Sequence, residues 1–245
     1  MIFTVKSNGQ AASGTFRMVL SSPEYHGSAR GGQFADILLP GYYLRRPFAI
    51  SDCGEGWLEI IYCTVGNGTR ELSGMVPGTR LDVLADLGHG FDIRATKDAA
   101  VLFGGGAGIA PLKLLARELA AAGKKVTAIF GFNRAVDIPE AIMDEIRSSG
   151  AEVLIATMDG SAGTKGFVTD ALREHGCSFD YWYSCGPLPM MKAVCKAVDC
   201  GGQVSMEARM GCGTGICYGC SIMTAKGARR VCKDGPVFDR EDIIW

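Results

Sequence analysis

The stretch Val101-Leu102-Phe103-Gly104-Gly105-Gly106-Ala107-Gly108-Ile109-Ala110-Pro111 determines how the rest of the chain is interpreted. It predicts a short buried strand, a glycine loop and a helix that extends to residue 122, just before Gly123. A glycine loop between a strand and a helix is typical of dinucleotide binding, because the backbone can approach a pyrophosphate whose charge the helix N-terminus favours. A simple tight turn is the alternative. Pro111 stands where the usual fingerprint has its third glycine, and proline suits a first helical turn.

Strands and helices alternate downstream of this loop. Strands are predicted at residues 126–130, 153–156 and 181–184, and helices at residues 139–148, 168–175 and 188–198. Such alternation predicts a doubly wound parallel sheet, which binds ligands at the carboxyl ends of its strands. Cys185, Gly186 and Pro187 follow the last strand at that edge. Taken alone, this motif is explained more simply as an ordinary strand-to-helix turn with a buried cysteine.

The residues upstream of the loop show no helical period. Short β-rich runs are separated by Gly, Pro, Asn and Ser, and they lie at residues 2–5, 15–20, 34–38, 48–50, 57–62 and 79–83. This rhythm predicts a small antiparallel barrel or sandwich. Arg45 and Arg46 precede one of these strands and have the chemistry to grip a phosphate, although a solvated basic turn is the alternative.

The last 45 residues are rich in glycine and poor in apolar residues, so they need a staple to hold a fold. Cys212, Cys217 and Cys220 follow the spacing C-x4-C-x2-C, and Cys232 comes after eleven further residues. This is the plant-type [2Fe–2S] pattern. A zinc site with four cysteines is the alternative, but such sites usually contain two C-x2-C pairs and this segment contains one. The spacing therefore favours an iron–sulfur cluster.

Composition limits the class of protein. Apolar residues make up 47% and charged residues 21% of the 245 residues, which is a globular balance, and the net charge of −1 gives no sign of nucleic-acid binding. No apolar run reaches the ~20 residues that span a membrane, and the N-terminus lacks the pattern of a signal peptide. We expect a cytoplasmic protein whose ten cysteines are reduced rather than paired in disulfides.

These observations predict a chain of several domains that combines α+β and α/β architecture. Residues 1–96 are expected to form an antiparallel β-barrel and residues 97–200 a doubly wound α/β nucleotide-binding domain. Residues 201–245 are expected to form a small cluster-binding segment.

The motifs, taken in this order, resemble one family across essentially the whole chain. They are R-P-x-x-I from Arg46, GGGxGxAPL from Gly104, CGPxPMM from Cys185, and the tail MEARMGCGTGICYGC with RVCKDGPVF. This arrangement resembles the electron-transfer subunits of NAD-dependent dihydroorotate dehydrogenase, class 1B. More broadly it is similar to the ferredoxin–NADP reductase superfamily.

The resemblance implies that FAD binds the barrel. The residues implied to hold the flavin, its phosphates and its pyrophosphate are Arg46, Pro47, Phe48, Ala49, Ile61, Tyr62, Cys63, Gly68 and Thr69. Ala49 stands where the family usually has serine, and Cys63 where arginine is common. One hydrogen bond near the flavin and one phosphate or ribose contact are therefore expected to be missing.

The resemblance also implies that NAD binds the second domain. Gly104, Gly105, Gly106, Gly108 and Pro111 would hold the dinucleotide, and Cys185, Gly186 and Pro187 would lie near the nicotinamide. Asp137 is a candidate for a ribose contact, while Arg134 leaves NADP open. Chemistry of this kind is carried by the cofactors, so no catalytic acid or base is expected.

The implied activity is electron transfer from an FMN-containing dihydroorotate-oxidising subunit, through a [2Fe–2S] cluster and FAD, to NAD. This step belongs to de novo pyrimidine (UMP) biosynthesis. The 245 residues leave no room for the ~250-residue β/α barrel that would hold FMN, so we expect an obligate partner and a heterotetramer. The cluster segment is expected to contribute to the interface.

Two other functions remain open at this stage. The chain could be a subunit of a different NAD(P)H oxidoreductase, such as an NADH-dependent ferredoxin:NADP reductase or a hydrogenase, although four plain cysteines favour the first hypothesis. It could also be a non-enzymatic zinc-binding or redox-sensing protein. A colourless protein with one zinc and no flavin would establish that third hypothesis.

Overall fold

The computed structural model describes all 245 residues, and its first part is a closed antiparallel barrel. The strands are β1 (Ile2–Ala12), β2 (Thr15–Ser21), β3 (Phe34–Leu38), β4 (Arg46–Gly54), β5 (Trp57–Cys63) and β6 (Arg80–Leu87). They follow the order β1-β2-β5-β4-β3-β6, and β6 closes the barrel on β1. Alternate residues such as Phe3 and Val5 point into an apolar core. The predicted barrel is confirmed, and the sandwich alternative is wrong.

One helix in this part was not predicted. Helix α1 (Asn67–Ser73) follows β5, and its buried Leu72 packs in the barrel core. Asn8 on β1 donates from its amide to the carbonyl oxygens of Leu72, Ser73 and Met75, which satisfies the end of the helix. Seven residues are too few to show a helical period, so tertiary contacts stabilise α1.

The second part is a seven-stranded sheet with helices on its faces. It contains β7 (Ala99–Gly105), α2 (Ile109–Ala121), β8 (Lys125–Phe132), α3 (Glu140–Ser148), β9 (Glu152–Thr157), β10 (Thr164–Lys165), α4 (Val168–His175), β11 (Tyr181–Cys185), α5 (Leu188–Ala197) and β12 (Gly202–Ser205). The strand order is β10-β9-β8-β7-β11-β12, all parallel, and a final antiparallel strand lies beside β12. The chain order reverses between β7 and β11. The carboxyl ends of these two strands therefore form the crevice where doubly wound sheets bind ligands.

The C-terminal segment is not separate from this sheet. Besides β12 it contributes the hairpin β13 (Ser221–Thr224) and β14 (Gly227–Arg230) and the antiparallel edge strand β15 (Val237–Asp239). The expected division at residue 200 therefore falls inside a continuous sheet. The physical reason is the one that predicted a staple: a short glycine-rich segment builds no core alone, and it packs Val204 and Phe238 into the core of the sheet.

Helix α2 joins the two parts of the molecule. Its apolar face packs on the sheet through Leu112, Leu115 and Leu119, while its opposite side lies against β4 of the barrel. The loop that begins α2 consequently lies in the cleft between barrel and sheet. No helix in the structure is both long and apolar enough to cross a membrane.

Candidate functional site

Two cavities open along the cleft between the barrel and the sheet. The first, of about 720 Å³, lies over the carboxyl ends of the parallel strands. Gly105, Gly106 and Pro187 of the predicted dinucleotide set line it, together with Arg134 and Asp137. The second cavity, of about 370 Å³, lies on the barrel side, and the predicted residues that line it are Arg46, Pro47, Phe48, Ala49, Ile61, Tyr62, Cys63, Thr69, Pro111 and Cys185.

The remaining predicted glycines line neither cavity, and their role is close packing. A Cβ at Gly108 would lie 2.1 Å from the carbonyl oxygen of Cys185, and one at Gly104 would lie 2.5 Å from the Phe130 ring. Gly186 has a φ of +144° and leaves no room beside the backbone of Gly105. Glycine is therefore needed because the loop after β7 and the turn after β11 pass so closely together.

Cys185 is a buried thiol at the end of β11. Burial, helped by the nearby Glu207 carboxylate and opposed by a hydrogen bond with Ser205, raises its pKa to about 12. The side chain is therefore neutral at physiological pH. It contributes shape to the wall of the second cavity and does not act as a nucleophile or base.

The two arginines before β4 have different surroundings. Arg45 donates to the carbonyl oxygen and a carboxylate oxygen of Asp82, at 2.9 and 2.7 Å, so it stabilises the barrel. Arg46 lines the second cavity, and its guanidinium lies over the Tyr42 ring at 4.7 Å. Gly68 lies close to Arg46, because a Cβ on it would be 3.0 Å from the Arg46 Nε. Arg46 is consequently the cation available to a phosphate group in this cavity.

Thr69 shapes the loop that precedes α1. Its Oγ1 accepts hydrogen bonds from the backbone N–H groups of Val65 and Gly66, at 2.9 and 3.0 Å, and donates to the carbonyl oxygen of Gly66.

Cys63 lines both cavities and contacts the Thr15 hydroxyl at 3.7 Å. The two departures from the family pattern, Ala49 and Cys63, therefore both face the cleft.

The cysteine loop turns backbone amides toward sulfur. Cys212 Sγ accepts N–H groups from Thr214, Ile216 and Cys217 at 3.3–3.4 Å. Cys217 Sγ accepts from Gly219, and Cys220 Sγ accepts from Cys232, each at 3.4 Å. Burial raises the pKa of Cys212, but the backbone N–H groups of Cys217 and Thr214 outweigh it and lower the pKa to about 5. Hydrogen bonds of this kind stabilise the thiolates that ligate iron–sulfur clusters.

The four cysteines of this spacing differ in exposure. No group of three or more His, Cys, Asp or Glu side chains is placed to hold a metal ion. Cys220 and Cys232 are buried free thiols, and the backbone N–H of Cys232 donates to Cys220 Sγ, whereas Cys217 is exposed on the loop. The four thiol donors and their amide hydrogen bonds fit a [2Fe–2S] cluster.

The barrel-side cavity adjoins the cysteine loop. Met206 and Met210 line this cavity, and Cys212 comes two residues after Met210. Phe34 of the barrel also lines the cavity and packs in one apolar cluster with Cys220 and Cys232. The cavity thus shares Cys63 with the first cavity and is also lined by the segment that leads into the cysteine loop.

Several lining residues were missed by sequence reasoning. They are Ser13, Thr15, Met158 and Phe167 in the first cavity, and Phe34, Met206, Glu207, Met210 and Pro236 in the second. Residues 206–210 directly precede the first cysteine of the spacing, and this position could have revealed them. The others come from distant parts of the chain and carry no local signal.

The fold and the two cavities define a class: a flavin-reductase-like protein with a barrel, a doubly wound sheet and a C-terminal cysteine segment. A solved NADH-dependent reduced ferredoxin-NADP oxidoreductase superposes with a TM-score of 0.89 at 31% identity, covering 100% of this chain and 90% of that one. A ferredoxin NADP+ reductase from Neisseria gonorrhoeae superposes with a TM-score of 0.67 over 80% of this chain and 89% of that one. At 16% identity this second match shows the fold alone.

The sequence comparisons identify the family. Residues 207–244 match the iron-sulfur cluster binding domain of dihydroorotate dehydrogenase B, and residues 102–196 match the oxidoreductase NAD-binding domain. The chain is 40% identical to the dihydroorotate dehydrogenase B (NAD(+)) electron transfer subunit of Fusobacterium nucleatum and 39% identical to that of Bacillus velezensis. These matches cover 98% of this chain and 96–97% of the relatives. The chain belongs to this family of electron transfer subunits, and the predictions of an iron–sulfur segment and an NAD-binding domain are confirmed.

Proposed function

We propose that this chain carries electrons from a dihydroorotate-oxidising catalytic subunit, through a [2Fe–2S] cluster and FAD, to NAD in pyrimidine biosynthesis. In the overall reaction dihydroorotate loses two electrons and two protons and becomes orotate. NAD+ gains a hydride, and one proton is released. The observation that supports this route is the position of the barrel-side cavity, which adjoins both the nucleotide cavity and the cysteine loop.

The barrel-side cavity fits a flavin. When bound, FAD exchanges a hydride with nicotinamide and single electrons with the cluster. Phe48, Ile61 and Tyr62 offer an apolar wall for a ring system, and Arg46 offers a cation for a phosphate. Ala49 adds no hydrogen bond and Cys63 adds no charge, so the backbone and Arg46 would provide the polar contacts.

The first cavity fits a nicotinamide dinucleotide. Gly105 ends β7 and Gly106 begins the turn that leads into α2, and the unpaired N–H groups and dipole of a helix N-terminus favour a pyrophosphate. Arg134 and Asp137 lie after β8, at the position where doubly wound domains contact the adenosine ribose. Pro187 and Cys63 also line this cavity, and Cys63 lines the barrel-side cavity as well. The nicotinamide end of the dinucleotide would lie beside them.

The cysteine loop offers a surface for the catalytic subunit. Ile216 is 80% exposed, and Tyr218 and Met223 are also exposed. Ile216 and Tyr218 flank the exposed Cys217 in the sequence, so apolar side chains are presented to solvent on this loop. We propose that an FMN-binding β/α barrel docks here and that two copies of each subunit form a heterotetramer. The thiols that hold the cluster must stay reduced, which is consistent with the cytoplasm.

The proposal is tested by co-expressing the chain with the catalytic subunit of the same genome under anaerobic conditions. Dihydroorotate should then drive NADH formation. Cys217→Ser should abolish this activity and leave NADH-dependent dye reduction, which needs only the flavin and the nucleotide. Absence of dihydroorotate-dependent NADH formation, with dye reduction intact, would contradict the proposed substrate and partner.

A second candidate function follows from the structural match. The NADH-dependent ferredoxin-NADP oxidoreductase chain covers the full length of this protein at 31% identity. If this chain has that function, it should exchange electrons with ferredoxin in complex with a larger partner. Ferredoxin reduction by NADH at a rate above that of the dihydroorotate reaction would favour it.

A further inference from the structure

A network of ion pairs centred on the buried Lys113 and Glu59 connects the barrel to α2 and α3. Lys113, on the second turn of α2, is only 5% exposed. Its Nζ lies 3.0 Å from Asp52 Oδ2 on β4, 2.9 Å from Glu59 Oε1 on β5 and 2.9 Å from Glu145 Oε2 on α3. One ammonium group therefore contacts three carboxylates from two barrel strands and a second helix.

Two arginines complete the network. Arg17 on β2 donates from Nε to Glu59 Oε2 at 2.6 Å and from Nη1 to Glu145 Oε1 at 2.5 Å. Arg117, one helical turn after Lys113, pairs with Asp52. Ser51 also donates to Glu59 Oε1, at 2.8 Å. Three cations balance three carboxylates, so the network has no net charge.

We expect such a network to fix the placement of α2 more than it adds to the stability of the fold. Removal of Lys113 alone leaves three carboxylates opposite two arginines, whereas removal of a balanced pair is often nearly neutral. Burial lowers the pKa of Lys113, but Glu59, Asp52 and Glu145 together raise it above its ordinary value, so the ammonium stays charged. The directional contacts permit one placement of α2 against the barrel.

The placement of α2 determines where the wall between the two cavities lies. At the start of α2, Gly106 and Ile109 line the nucleotide cavity, whereas Ala107 and Pro111 line the barrel-side cavity. Lys113 follows Pro111 by two residues. On the barrel, Glu59 lies on the same strand as Cys63, which lines both cavities.

We propose that Lys113 is a positioning residue that fixes the spacing between the nucleotide and flavin sites for hydride transfer. It touches neither site and acts through α2. The inference rests on the proposed function only in assigning FAD and NADH to the two cavities, and it requires neither dihydroorotate nor a partner subunit.

The test uses the full chain with bound flavin and compares Lys113→Met with the charge-balanced pair Lys113→Met/Glu59→Gln. The measured quantities are the thermal midpoint, the Kd for NADH, the flavin–nicotinamide charge-transfer absorption and the anaerobic rate of flavin bleaching by NADH. Lys113→Met should lower the midpoint and slow bleaching tenfold or more. The balanced pair should recover the midpoint, keep the Kd within twofold, and still show weak charge-transfer absorption and slow bleaching.

Lys196→Met, an exposed change on α5, serves as the matched control and should alter none of these quantities. If the balanced pair recovers both the midpoint and the bleaching rate to within twofold of the parent, the role of Lys113 is structural and the proposal is overturned. The pair provides this answer even when Lys113→Met alone fails to fold. A parent chain that binds neither flavin nor NADH would contradict the proposed function itself, and this inference with it.

Discussion

Asp36 on β3 explains why residue 213 of the cysteine loop is glycine. The Asp36 carboxylate is 1% exposed, and neither of its oxygens has a hydrogen-bond partner. A Cβ on Gly213 would lie 2.3 Å from Asp36 Oδ2, and the φ of Gly213 is +67°. Both the space and the backbone conformation therefore exclude a side chain at this position.

We expect Gly213→Ala to displace the loop and remove most of the bound cluster. Iron and acid-labile sulfide analysis, with the visible spectrum, measures the loss. The barrel should remain folded and keep its flavin. Gly9→Ala is the control, because a Cβ there meets nothing within 4 Å. Full cluster content in Gly213→Ala would contradict the close approach to Asp36.

Arg134 and Asp137 predict the nucleotide preference. The carboxylate of Asp137 accepts the backbone N–H of Arg134 at 3.2 Å and lies 3.4 Å from its guanidinium. Arg134 is the one cation that lines the nucleotide cavity. Because its pairing with Asp137 neutralises the charge that would attract the 2′-phosphate of NADP, the pair favours NAD over NADP.

Asp137→Asn keeps an acceptor for the backbone N–H and removes the charge. We expect the kcat/KM ratio of NADPH to NADH to rise about tenfold, which corresponds to about 1.4 kcal/mol. Adding Arg134→Ser should abolish the gain. Asp144→Asn, which removes an exposed partner of Arg147 at 2.7 Å on α3, should leave the ratio unchanged. An unchanged ratio in Asp137→Asn would show that this pair does not set the preference.

At the level of elements, strands and long helices could be predicted because each carries its own period. The predicted helix at residues 109–122 corresponds to α2 (Ile109–Ala121), and the predicted run at residues 168–175 corresponds to α4 (Val168–His175). Helix α1 was missed because it depends on tertiary contacts such as that of Asn8, which lies 64 residues before Leu72 in the chain. β12 and β15 were missed because four- and three-residue strands acquire their identity from neighbours in the sheet.

Asp180 aligns the two central strands of the sheet. Immediately before β11, its carboxylate accepts the backbone N–H groups of Lys97, Asp98 and Ala99, at 2.7–2.8 Å, where β7 begins. Burial raises the pKa of Asp180, but these three hydrogen bonds outweigh it and hold the pKa below its ordinary value. The carboxylate is therefore more acidic in the folded than in the unfolded chain.

Asp180→Asn should cost about 1–2 kcal/mol of stability at pH 7, since the group is partly exposed. Because the folded-state pKa is depressed, this stabilisation is present above the unfolded pKa and is lost as the pH falls through the folded pKa. The difference between parent and variant should therefore shrink below about pH 4. Urea unfolding at several pH values measures it. A difference that does not change with pH would contradict the assigned cause.

At the level of the whole molecule, the cluster segment and the sheet form one unit. β12 and β15 complete the edge of the sheet, and Val204 and Phe238 share a core with Trp182. A chain ending at residue 200 should therefore lose cooperative unfolding of the nucleotide-binding domain. Removal of the exposed Ile244 and Trp245 should be tolerated. Calorimetry distinguishes these outcomes, and a cooperative transition in the shorter chain would contradict the continuous core.

The site shows the same division between local and distant signals. The cysteines and the glycine loop are contiguous motifs, so the sequence indicates their chemistry and leaves one alternative for each, a zinc site and a tight turn. The walls of the cavities are assembled from residues far apart in sequence, such as Ser13 with Phe167 and Phe34 with Met206. The ion-pair network around Lys113 is likewise distributed, since its six charged groups lie on five elements.

The order of the redox centres is the central claim, and EPR spectroscopy of the anaerobic complex with the catalytic subunit tests it most directly. Dihydroorotate added without NAD should produce the signal of the reduced cluster. Subsequent NAD+ should discharge that signal as NADH forms. If NADH forms from dihydroorotate but the reduced-cluster signal never appears, the route from the cysteine loop, through the barrel-side cavity, to the nucleotide cavity is contradicted.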